Sequence, residues 1–93
     1  MAKEVFIPVQ ARRGLFSDEY IVEIKLKGET IVLFVDKELV RIEGQEPGED
    51  AVSALLSVEI LREEGDQVTV VLPQQPLSHS SSITVPKQWV KAA

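Results

Sequence analysis

Ser82-Ile83-Thr84-Val85-Pro86-Lys87-Gln88-Trp89-Val90 decides the fold, because Leu33-Phe34-Val35-Asp36-Lys37-Glu38-Leu39-Val40 repeats its design. Each reads as a β-prone run that stops at a turn and then presents one more apolar residue. Val35 answers Val85, Lys37 answers Lys87, Leu39 answers Trp89 and Val40 answers Val90. The match implies two related halves, residues 3–43 and 51–91. The segment 43–50 between them (Glu-Gly-Gln-Glu-Pro-Gly-Glu-Asp) holds two glycines, a proline and four acids, and reads as a solvated acidic linker.

Moving upstream, Tyr20, Val22, Ile24 and Leu26 alternate with polar residues, so residues 20–26 form a strand with one wet side. Gly28-Glu29 suits a two-residue turn. That turn sets Leu26 opposite Ile31, Ile24 opposite Leu33 and Val22 opposite Val35, all on one face. Val5-Phe6-Ile7-Pro8-Val9 is a shorter apolar run. Its Pro8 cannot donate to a ladder, which points to an edge strand or a bulge. Gln10-Ala11-Arg12-Arg13-Gly14 reads as a polar loop.

In the second half, residues 51–64 admit two readings. As a helix, the segment has Asp50 as N-cap and Gly65 after its last turn. As a strand, Val52, Ala54, Leu56, Val58 and Ile60 form one face. The residues downstream favour the strand: Glu63-Glu64-Gly65-Asp66 makes a hairpin loop, and Val68-Thr69-Val70-Val71-Leu72 is strongly β-prone. Pro73 ends that strand, and residues 74–81 form a polar loop. In the alignment of halves, Ile7-Pro8-Val9 answers Leu56-Ser57-Val58, residues 20–26 answer 66–72, and 34–40 answer 84–90. The expected fold is therefore all-β, a small barrel of about six strands from two related three-stranded halves. If 51–64 were helical, the class would be α+β.

The closing Val85-Pro86-Lys87-Gln88-Trp89-Val90 resembles the end of Src-homology-three-type small barrels. In that family a strand runs into a proline-containing single-turn helix and an aromatic–valine pair. The resemblance implies a barrel-like architecture. It does not carry over polyproline recognition, because that family's groove is built from clustered aromatics. This chain has Phe6, Phe16, Tyr20, Phe34 and Trp89, with no matching pair near its first strand.

At 93 residues the chain is expected to be a single domain with one modest core. It has no cysteine, which excludes disulfides and thiolate metal sites and suits a cytoplasmic setting. The N-terminus does not read as a signal peptide, and no apolar run is long enough to span a membrane. Net charge is −5, of which residues 1–43 contribute −1 and residues 44–93 contribute −4. An acidic chain gains little from counterion release, so nucleic-acid binding is disfavoured.

No set of residues converges on a reaction. His79, the sole histidine, lies among Ser78, Ser80 and Ser81, and loop neighbours do not supply the geometry of a nucleophilic triad. Glu43, Glu46, Glu49 and Asp50 lack the spacing of a calcium loop. Pro73-Gln74-Gln75-Pro76 has PxxP spacing without a flanking basic residue and reads as a strand-ending loop. Lys37 and Lys87 fit turn capping, and Trp89 reads as the core plug of the second half. The residues left for recognition are the basic doublet Arg12-Arg13 and the apolar set Ile21, Val32 and Phe34 on the polar side of the hairpin. Either the barrel closes over that apolar set or it forms a patch for a partner. The expectation is a non-catalytic interaction module with a protein partner, no cofactor and no metal. The apolar set also suits a homodimer. The alternative is a small nucleic-acid-associated regulator using Arg12, Arg13, Lys25 and Lys27.

Overall fold

The computed structural model describes residues 3–77 and 80–92. The first half runs β1 (Lys3–Arg13), β2 (Glu19–Leu26), β3 (Glu29–Asp36), a 3-10 turn at Lys37–Leu39 and β4 (Val40–Ile42). The second half repeats the order with β5 (Val52–Glu64), β6 (Gln67–Val71), β7 (Ser82–Pro86), a 3-10 turn at Lys87–Trp89 and β8 (Lys91–Ala92). The protein is all-β, and residues 52–64 are strand, not helix. The antiparallel strands follow the order β3-β2-β1-β5-β6-β7 and curl into a half-barrel.

The two closing stretches behave alike. The Lys37 N–H donates to the Asp18 carbonyl at 3.0 Å, and the Lys87 N–H to the Asp66 carbonyl at 2.8 Å. After each 3-10 turn a short strand crosses to the other half: β4 pairs with β5, setting Ile42 opposite Ala54, and β8 pairs with β1, setting Ala92 opposite Val5. Local patterning does not anticipate these short strands; of their residues only Val40 reads as part of an apolar plug.

Alternation places Val5, Ile7, Val9, Val22, Ile24, Ile31, Leu33, Val35, Leu56, Val58, Val68, Val70 and Val85 inside one core shared by both halves. At about 25 cal/mol per Å² this common burial is the main stabilising term, and neither half could supply it alone. β5 also buries Leu55 and Ser57 on its outer side. A bulge between Ile60 and Arg62 then leaves Leu61 62% exposed.

Several expectations need correction. β1 is a central strand that continues through Arg13, so Arg12 and Arg13 are not in a loop. Pro8 is tolerated because the second edge of β1 is vacant there, between β8 at Val5–Phe6 and β2 at Gln10–Arg13. The first hairpin turns at Lys27-Gly28, with Gly28 at φ +87°, so Ile24 faces Ile31 and Val22 faces Leu33. The second half follows suit: Tyr20 opposite Val35 has its counterpart in Val68 opposite Val85, two residues from the expected alignment. The acidic segment is also docked, not solvated throughout. Pro47 is buried, and the Gly48 carbonyl accepts from the Arg13 N–H at 2.8 Å.

Candidate interaction surface

The outer face of β1, β2 and β3 carries the recognition candidates because register aligns them in rows. Arg12 stands opposite Ile21, and Ile21 opposite Phe34. In the next row Gln10 faces Glu23, and Glu23 faces Val32. Ile21, Val32 and Phe34 are half-buried, whereas their strand neighbours Val22, Leu33 and Val35 are sealed in the core. The barrel does not close over this set.

Leu77 joins the second row. It forms an isolated antiparallel bridge to Val32, its N–H donating to the Val32 carbonyl at 2.9 Å, and its side chain is 59% exposed. Sequence patterning carries no signal for it, since a leucine in a polar loop has no periodic partner. Pro76 beside it is buried, which removes the PxxP segment as an exposed polyproline ligand.

Arg12 and Arg13 separate. Arg12 lies 3.6 Å from Glu23 on the outer face. Arg13 is opposite Tyr20, on the other side of the strand, and meets Glu49 at 3.6 Å. Each guanidinium thus faces a carboxylate, which weakens the pair as a phosphate site. Lys25 and Lys27 are exposed.

A cleft of about 360 Å³ adjoins the rows, lined by Pro8, Gln10, Glu23, Lys25, Ser53 and Trp89 among others. Trp89 is half-buried against the core at its rim and does not plug the interior. The corresponding positions of the other half line a smaller cleft of about 210 Å³, where Leu39 replaces Trp89 and Val71 replaces Glu23. There the Ser57 hydroxyl donates to the Glu4 carboxylate at 2.7 Å, so these two polar groups satisfy each other.

At one end of β2, the buried Tyr20 donates its hydroxyl proton to Glu46 at 2.6 Å, and Lys37 meets the same carboxylate oxygen at 3.3 Å. Burial, then the hydrogen bond and the Glu46 charge, pushes the Tyr20 hydroxyl up to about 12. The hydrogen bond from Tyr20, with help from Lys37, lowers the Glu46 carboxyl. This group fastens the inter-half segment to the barrel and presents no open nucleophile. Among the described residues no cluster of three or more histidines and acids could hold a metal. His79 and Ser78 lie outside the described residues. Among the described residues no helix is long and apolar enough to cross a membrane. Comparison with protein-family models, with curated proteins and with solved structures gave no match.

Proposed function

We propose that this chain is a non-catalytic interaction module that meets a protein partner through the outer face of β2 and β3. The observation that carries the reading is the row Arg12–Ile21–Phe34, which sets two partly exposed apolar side chains beside an arginine on a rigid sheet. Apolar anchors ringed by polar residues are the usual make-up of a recognition patch. The test is recovery of a native partner by the intact chain and by Phe34→Glu, with Leu61→Glu as an exposed control. Loss with Phe34→Glu alone, at unchanged fold, supports the reading. Equal recovery by all three chains refutes it.

We infer further that residues 3–43 and 51–91 descend from one duplicated unit within a single domain. The matched registers, the paired 3-10 turns and the reciprocal β4–β5 and β8–β1 contacts support this. A Src-homology-three-like ending fits the strand, 3-10 turn and short strand found at Ser82–Ala92.

A further inference from the structure

We infer that the outer edge of β3 is a strand-addition site for an extended peptide, running antiparallel and carrying a basic residue at its N-terminal end. The inference rests on the proposed β2–β3 face and names the form of its partner.

β3 ends the sheet. In an antiparallel strand, alternate residues turn both backbone polar groups to the same edge. The Leu77 bond to Val32 therefore identifies Thr30, Val32 and Phe34 as the residues aimed away from β2. Among the described residues, that bond is the one backbone contact this edge receives. Long edge strands are normally blunted by proline, charge or a bulge, and the stretch from Thr30 to Phe34 has none of these. The opposite edge, β7, is shorter and ends in Pro86. Leu77 already occupies the β3 edge as a one-residue strand, and an incoming peptide would replace its single bond with bonds from all three residues.

Charge sets the polarity of the peptide. Asp18, Asp36 and Glu38 surround an open hollow of about 370 Å³ with Lys37 where β3 ends. The Lys37 ammonium is engaged by Glu46 and lies 5.0 Å from the centre of the Tyr20 ring. No ion pair among the described residues reaches Asp18, Asp36 or Glu38. An antiparallel peptide brings its N-terminal end to this acidic hollow, where lysine or arginine is favoured. A second copy of β3 would bring Glu29 toward Asp36 instead, setting like charges together.

The experiment is amide NMR of the intact chain titrated with a short capped peptide that alternates valine and threonine behind an N-terminal lysine pair. The expected result is shifted resonances and slowed hydrogen exchange at Thr30, Val32 and Phe34, with the Leu77 amide released. Replacing the lysines by glutamates should weaken binding about tenfold. Methylating alternate peptide nitrogens should abolish it. Thr30→Pro should also weaken it, because that substitution removes an outward N–H and leaves the β2 ladder intact. Shifts confined to β7 or to the Trp89 cleft, or no shifts, overturn the inference. If they do so while Phe34→Glu still abolishes partner recovery, the strand-addition mode fails alone. If Phe34→Glu has no effect either, the proposed surface fails with it.

Discussion

Ile7 and Leu56 stand directly opposite each other across β1 and β5, and each holds the corresponding place in its own half. On the far edge of β1 the order is β8, a gap at Pro8, then β2; on that of β5 it is β4, a gap at Ser57, then β6. The midpoint of the central pair is thus a local twofold centre, and both residues there are fully buried. Leu56→Ala should lower unfolding free energy by about 2–5 kcal/mol and Ile7→Val by about 0.5–1.5 kcal/mol. Leu61→Ala, which the bulge leaves outside, should stay within about 0.5 kcal/mol. Urea titration of the three variants checks the ranking, and a costly Leu61→Ala would contradict the outward bulge.

The hairpin turn makes a sharper test of register. Gly28 sits at φ +87°, where an L side chain costs roughly 1–2 kcal/mol. Gly44 has open space and no left-handed backbone. Gly28→Ala should therefore destabilise by about that amount, while Gly44→Ala should be neutral or gain up to about 1 kcal/mol. Thermal melts that ranked the two the other way round would displace the turn from Lys27-Gly28.

Half-burial fixes the expectation for Trp89. Full truncation of a core tryptophan costs about 3–5 kcal/mol, so Trp89→Ala should cost roughly half as much. Trp89→Leu, which installs the residue found at Leu39, should cost less than about 1.5 kcal/mol. As the sole tryptophan, Trp89 reports its own exposure: its emission should be partly red-shifted in the native state and quenchable by acrylamide. A fully blue, unquenched emission would place the ring inside the core.

The Tyr20–Glu46 contact predicts a two-sided pH dependence. Glu46 titrates below its ordinary 4.5 in the folded chain, so its contribution is present above that value and lost as pH falls through the folded value. Tyr20 is raised from 10.0 to about 12, so its contribution is present below 10.0 and lost as pH rises toward about 12. Tyr20→Phe should flatten both arms of a denaturant-midpoint profile. Parallel profiles for the two proteins would rule the contact out in solution.

Most strands and their faces were legible because alternation and turn chemistry act locally, but the second part of β1, residues 10–13, read as a loop. Register was less legible. Moving β3 by two residues against β2 keeps Ile24, Ile31, Leu33 and Val35 on one side, so a period-2 pattern cannot tell the two registers apart. Only the left-handed backbone at Gly28 decides between them. The same blindness displaced the alignment of β2 with β6. The short strands β4 and β8 are set by long-range pairing, which leaves no local signature. Of the recognition residues, Ile21, Val32 and Phe34 were visible as apolar departures from an otherwise polar face, whereas Arg12 was visible only as half of a basic doublet and its place on that face was not. Leu77 was not, because only the course of the chain from β6 to β7 brings it to Val32.

The crossing of β4 onto β5 and of β8 onto β1 means that each half lends its last strand to the other. A single half in isolation would hold a lent strand with nowhere to go and a first strand with a vacant edge. Two separate halves could meet both needs by mutual exchange. Residues 3–43 and 51–91, produced as independent fragments, should therefore associate, and the segment 43–50 should strengthen that association both by raising their effective concentration and through its Tyr20–Glu46 and Arg13–Gly48 contacts.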